Sequence, residues 1–178
     1  MNLRAEFTGT IYLPDKRFVA RGSPVYLPDG HVIALIAWRS WSGRFSILDP
    51  SGNAIASCRP RGAFRRRYTV FAVDGSPVLD MLPGGWRPFG GMQVTLGSGR
   101  RITVRRSSRW SGRRFELYDA NSRLVGRIDP ITRQLSFHPD SYAIELTMPV
   151  MSALEAIALA QVLRLVVRRI RTVVIASS

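Results

Sequence analysis

The chain has 178 residues, 46% of them apolar, and a formal charge of +14 from 26 basic and 12 acidic side chains; this is the size of one domain, residues 1–178, and it excludes a chain too polar to build a core. One cysteine, Cys58, and two histidines, His31 and His138, exclude an internal disulfide and a thiol-imidazole zinc cluster. Met1 to Leu13 contains Arg4 and Glu6 and lacks the apolar run of a secretory signal, so a cytoplasmic location is expected, peripheral at the membrane if the partner is lipid.

From about residue 7 to residue 147 the chain reads as short β-type runs separated by turn residues at the spacing of barrels and sandwiches. Pro28-Asp29-Gly30, Asp49-Pro50-Ser51-Gly52, Asp74-Gly75-Ser76-Pro77, Pro83-Gly84-Gly85 and Gly97-Ser98-Gly99 supply the punctuation. Alternation assigns faces. Phe45 and Ile47, Tyr68, Val70 and Ala72, Ile102 and Val104, Phe115 and Leu117, and Ile144 and Leu146 are expected inside. Arg67, Thr69, Arg101, Thr103, Arg105, Glu116 and Tyr118 are expected outside.

Trp41-Ser42-Gly43-Arg44-Phe45-Ser46-Ile47-Leu48-Asp49 recurs as Trp110 to Asp119 with one residue inserted, and from Phe45 and Phe115 the copies stay 70 residues apart to Pro60 and Pro130. Tyr68 to Leu79 is a looser third copy. Each unit is an aromatic-led strand, a closing aspartate, a tight turn and a second strand, which predicts hairpins and makes Asp49, Asp74 and Asp119 turn-makers rather than ligands.

After Pro149 the pattern changes. Ser152-Ala153-Leu154-Glu155 has the form of a capping box, and a helix is expected over about 152–171. It is apolar on every side until the arginines begin, so it must be surrounded by lipid or by protein. The uncharged stretch between Glu155 and Arg164 is far shorter than the ~20 residues a membrane span needs. Enclosure by a closed sheet is therefore expected, with Arg164, Arg168, Arg169 and Arg171 at the mouth, near the negative end of the helix dipole. The expected fold is a single all-β, closed antiparallel barrel of about twelve strands, with pseudo-repeated halves and an apolar C-terminal helix inside.

Arg44 to Asp49, its copy at Arg114 to Asp119, the strand Tyr142-Ala143-Ile144-Glu145-Leu146 and the helix from Ser152 together resemble the tubby C-terminal-like superfamily. Within it the chain looks like a minimal bacterial-type member near the LURP-one-related proteins and the phospholipid scramblases. The resemblance implies a twelve-stranded barrel around a central helix, and association with membranes or phosphoinositides as in the better-known relatives.

The basic residues cluster at Arg59 to Arg67, Arg100 to Arg114 and Arg164 to Arg171. Arg101, Thr103 and Arg105 alternate along one strand face at roughly 7 Å steps, and guanidinium groups in a row can hold phosphates bidentately. If Arg65 to Arg67 lies on a neighbouring strand, the first two clusters merge. The expected function is accordingly a non-enzymatic module that binds anionic surfaces, acidic phospholipid or phosphoinositide headgroups foremost, through Arg65, Arg66, Arg67, Arg101, Arg105 and Arg106. Two other readings stay open: a structural or interaction protein whose partner is another protein and whose arginines reflect composition, and nucleic-acid binding with Trp38, Trp41, Trp86 and Trp110 as stacking platforms. No nucleophile elbow, phosphate loop, metal-spaced histidine pair or clustered carboxylate signature is present, so no catalytic residue, cofactor or metal is expected. Cys58 is expected to be buried and inert rather than activated by Arg59.

Overall fold

The computed structural model describes residues 1–14, 22–39, 44–62, 67–83, 91–107, 113–131 and 141–176. Twelve strands are found among them: β1 (Gly9–Leu13), β2 (Ser23–Tyr26), β3 (Val32–Arg39), β4 (Arg44–Leu48), β5 (Ala54–Arg61), β6 (Arg67–Ala72), β7 (Pro77–Leu82), β8 (Met92–Leu96), β9 (Arg101–Arg106), β10 (Phe115–Tyr118), β11 (Leu124–Pro130) and β12 (Tyr142–Leu146). Each lies antiparallel to its neighbours in sequence. The sheet closes where β12 returns to β1, Gly9 opposite Leu146 through Leu13 opposite Tyr142. Among the described residues every strand has a partner on both sides, so none is an edge strand that could template aggregation.

The alternation in the sequence fixes which face points inward. Phe45 and Ile47, Tyr68 and Val70, Ile102 and Val104, Phe115 and Leu117, and Ile144 and Leu146 are all buried. The repeated hairpins share more than their residues. Both β4–β5 and β10–β11 shift register just before the turn, and the backbone turns left-handed at Gly52 (φ 92°) and at Ser122 (φ 61°), the same position in each copy. Asp49 Oδ1 accepts the Asn53 N–H at 2.8 Å, and Asp119 Oδ1 accepts the N–H groups of Asn121 and Arg123 at 2.9 and 2.8 Å. Asp74 does the same for Ser76 at 2.9 Å. These aspartates build turns, as the sequence predicts.

A barrel's diameter grows with strand number, and eight strands already make an interior that side chains just fill, so twelve enclose more space than the strands' own side chains occupy. The helix α1 (Ala153–Ala176) fills it. Ile157, Ala158, Leu159, Val162 and Leu163 are no more than 1% exposed, on all sides of the helix. α1 ends five residues beyond the sequence-based limit, because nothing in Thr172 to Ala176 breaks a helix.

Both ends of the buried segment are tied down. The capping box forms: Glu155 Oε2 accepts the Ser152 N–H at 2.7 Å, and Ser152 Oγ accepts the Glu155 N–H at 3.2 Å. Glu155 also reaches the barrel wall, where its Oε1 accepts the Gly97 N–H of the β8–β9 turn at 3.0 Å. The Leu154 N–H donates to Leu3 O at 2.9 Å, so the N-terminal segment closes over the helix start. At the other end Arg164, 8% exposed, donates through Nη2 to Leu13 O at 2.7 Å and Pro14 O at 3.3 Å and through Nη1 to Gln161 Oε1 at 3.3 Å. Its guanidinium lies 5.5 Å from the centre of the Tyr142 ring. Arg164 thus sits at the mouth; the side chains of Arg168, Arg169 and Arg171 lie outside the described residues.

Candidate anion-binding surface

With the inward positions committed to the core, function must reside on the outer wall, at the barrel ends or in the connections. The outer wall is electrically two-sided. From β4 to β9 its outward positions carry Arg44, Arg59, Arg61, Arg67, Arg101 and Arg105, with Asp80 the one acid among them. From β10 to β12 they carry Glu116, Asp129 and Glu145 against Arg127. Glu116, Arg127 and Glu145 stand in register across three strands, so charge on that side alternates with the acids in excess.

The basic side is densest on β4 to β6. Arg61 is opposite Arg67, and Arg59 is opposite Thr69. One step beyond the Phe45–Cys58 pair, the β4–β5 ladder sets Arg44 opposite Arg59. Arg44, Arg59, Arg61 and Arg67 are all exposed. Adjacent strands are about 4.8 Å apart and alternate residues about 7 Å apart along a strand, so these side chains leave the sheet as one patch. Arg67 is engaged by Asp80: its Nε donates to both carboxylate oxygens, at 2.7 and 2.9 Å, and its Nη2 donates to Oδ2. The Thr69 hydroxyl adds a bond to Asp80 Oδ1 at 3.0 Å. Hydrogen bonding to the Arg67 guanidinium, then to Thr69, with Arg61 nearby, holds the Asp80 carboxyl below its usual range against the opposing cost of burial. The stability this pair contributes is present above the ordinary carboxylate range and is lost as pH falls through the lower folded value.

The sequence-derived site residues divide accordingly. Arg67 belongs to the patch; Arg65 and Arg66 lie outside the described residues. Arg101, Arg105 and Arg106 are on β9, and β7 and β8 stand between β9 and β6, so the clusters are roughly 14 Å apart and do not merge. Arg105 faces Glu116 on β10 and lies over the Tyr118 ring at 4.9 Å, which turns it toward the mixed side. Arg101 faces Thr95, while Gln93 Nε2 donates to Thr103 Oγ1 at 3.2 Å beside it. Arg106 has the inward parity but ends its strand, and it is exposed at the rim. Arg59 and Arg61 count in the sequence cluster Arg59 to Arg67 and Arg44 in the repeat, but none of the three is among the sequence-derived site residues. The signal was present in the Asp49–Asn53 turn, which sets the hairpin register and so brings Arg44 to Arg59.

Trp38 packs its ring 6.4 Å from that of Phe45; Trp41, Trp86, Trp110 and His138 lie outside the described residues. A depression of about 230 Å³ opens at the helix-entry end, lined in part by Arg4, Glu6, Arg100, Ser152 and Glu155. Its two cations are already matched, Arg4 to Asp74 at 2.9 Å and Arg100 to Glu6 at 2.7 Å. Among the described residues no cluster of histidine, cysteine, aspartate or glutamate could hold a metal ion, and no helix is long and apolar enough to cross a membrane.

Cys58 points inward opposite Phe45 and Val70, away from Arg59, and burial pushes its thiol up to about 12. The thiolate is the reactive form, so a thiol reagent at pH 8 is expected to leave the folded protein unmodified for hours and to label it within minutes in denaturant. Rapid labelling without denaturant would contradict the enclosed position.

No family model matches the chain, and no curated protein matches it. Among solved structures, an X-ray structure of a protein from Arabidopsis thaliana superposes with a TM-score of 0.56 over 90% of this chain and 92% of that one, at 14% identity. The two proteins share a fold. At that identity the likeness carries the architecture and nothing about ligand or activity.

Proposed function

We propose that the protein is a non-enzymatic binding module that docks the basic side of its barrel on anionic surfaces, acidic phospholipid headgroups foremost. The observation that supports this most strongly is the patch of Arg44, Arg59, Arg61 and Arg67 on three adjacent strands with Asp80 as the nearby acid. A rigid, closed sheet presents these guanidiniums at fixed spacing, so little order is lost when phosphates engage them. The opposite wall, where acids outnumber bases, gives the molecule an electrical direction and steers the basic side toward a negative surface. We also read the chain as a tubby C-terminal-like barrel near the LURP-one-related group; the closed twelve-stranded wall and enclosed C-terminal helix support that reading.

Sedimentation with vesicles tests the function. Phosphatidylcholine vesicles are expected to leave the protein in solution, and vesicles containing phosphatidylglycerol or phosphoinositide to pull it down at physiological salt, with tighter binding at low salt. Duplex DNA bound as tightly as acidic vesicles under the same salt would replace the lipid reading with a nucleic-acid one. Failure to bind either would send the search to a protein partner.

A further inference from the structure

The Arg67 fork and the Thr69 hydroxyl converge on one carboxylate, and Arg61 stands opposite Arg67 on the next strand. Two guanidinium nitrogens and a hydroxyl aimed at a pair of oxygens form the donor set that holds a phosphate. Here the oxygens belong to Asp80. Because Asp80 is the one acid among the outward positions from β4 to β9, its placement at the centre of the donors has a consequence for any anionic ligand.

Resting on the reading of this face as an anion-binding surface, we infer that Asp80 occupies a phosphate subsite formed by Arg67, Thr69 and Arg61, and that a ligand's phosphate must displace it to engage Arg67. Asp80 then sets how tightly the face binds. While it holds Arg67, an incoming surface meets only Arg44, Arg59 and Arg61 there. When a phosphate takes its place, the carboxylate gives up its bonds to Arg67 Nε and Nη2 and the Thr69 bond, and the phosphate gains the same donors. The exchange nearly balances, so the intact protein binds reversibly, and removal of the carboxylate charge tips the balance toward the ligand.

The test compares the wild type, Asp80→Asn and Asp129→Asn on phosphatidylcholine vesicles carrying phosphatidylglycerol. Asp129 pairs with Arg114 at 3.5 Å on the other side of the barrel, so its substitution makes the same change in net charge and frees an arginine away from the subsite. Asp80→Asn is expected to bind about fivefold tighter than wild type, the scale of one charge-assisted contact at a wet surface. Asp129→Asn is expected to stay within about twofold of wild type. Equal gains in the two variants, or none in Asp80→Asn, overturn the inference while leaving the binding surface itself in place. Vesicles that bind none of the three proteins overturn the inference together with the reading it rests on. Asp80→Thr, which removes the carboxylate charge, keeps every donor of the subsite and places a strand-favouring side chain on β7, gives a gain in the same direction and serves if Asp80→Asn does not fold; no gain there counts against the subsite. The same series on inorganic polyphosphate separates sources. A gain on vesicles alone assigns the subsite to lipid headgroups, and a gain on both assigns it to phosphate in general.

Discussion

Leu159→Asp is expected to abolish soluble, folded protein. Leu159 lies in the buried first half of α1 with no exposed surface, and Ile157, Val162 and Leu163 around it are equally buried. Truncating a buried leucine costs about 2–5 kcal/mol in lost transfer and cavity energy. An ionised carboxylate placed there without a partner adds several kcal/mol more. The sum reaches the whole stability of an ordinary domain, about 5–15 kcal/mol. Leu163→Asp has the same expectation, whereas Leu159→Met, close in volume and still apolar, is expected to cost less than about 1.5 kcal/mol. The check is soluble yield, circular dichroism and cooperative thermal unfolding. A soluble Leu159→Asp protein with a native spectrum would place the helix outside the barrel.

Gly97→Ala is the second large effect, and it acts on the wall rather than the helix. A Cβ at Gly97 would lie 2.3 Å from Pro77 O and 3.4 Å from the Val78 Cα, both backbone atoms that cannot swing aside. The same Gly97 N–H serves Val78 O at 2.8 Å and Glu155 Oε1 at 3.0 Å, so a shift of the turn also pulls the helix cap away from the wall. Overpacking of this kind costs about 1–3 kcal/mol, and a weakened hydrogen bond to the charged Glu155 adds to it. For a chain of this length each kcal/mol lowers the melting temperature by about 2–4 °C, so a fall of roughly 5–12 °C is expected. Gly99, in the same turn, is open on all sides but has φ +83°. Gly99→Ala is therefore expected to cost only the left-handed backbone penalty, about 1–2 kcal/mol. An alanine at 97 tolerated better than one at 99 would mean that the turn does not pack on β7 as described.

The architecture was legible because three local signals agreed. Period-two alternation separated Phe45 and Ile47 from Arg44 and Ser46, the Asp-led turns delimited the hairpins, and a helix without a polar face demanded a container. The Ser152–Glu155 cap could be read from four residues. What sequence could not supply was long-range pairing. Arg67 would have merged with Arg101 and Arg105 only on a neighbouring strand, and the meander puts β7 and β8 between β6 and β9. The placement of Arg105 opposite Glu116 and over Tyr118, and the pairing of Arg67 with Asp80, depend on cross-strand register of the same kind. Glu155 explains itself as a cap, but its second bond to Gly97, 58 residues away, leaves no trace in the local pattern. The patch of Arg44, Arg59 and Arg61 was within reach through the hairpin register, yet spacing along the chain directs attention to Arg65 to Arg67, where the charges are consecutive.

In the proposed function a particular side of the barrel, rather than the net charge, recognises anionic surfaces. Co-sedimentation with phosphatidylglycerol vesicles at physiological salt separates the two for a pair of variants of equal charge loss. One carries Arg44, Arg59 and Arg61 changed to serine; the other carries Arg114, Arg123 and Arg127, exposed arginines of the β10–β11 region, changed to serine. Each lost contact on the basic side is expected to weaken binding by about 1 kcal/mol, so the first variant should lose on the order of a hundredfold in affinity and the second less than about threefold. Equal losses in the two would contradict the account, because binding would then follow total charge and the arrangement of β4 to β6 would have no part in it.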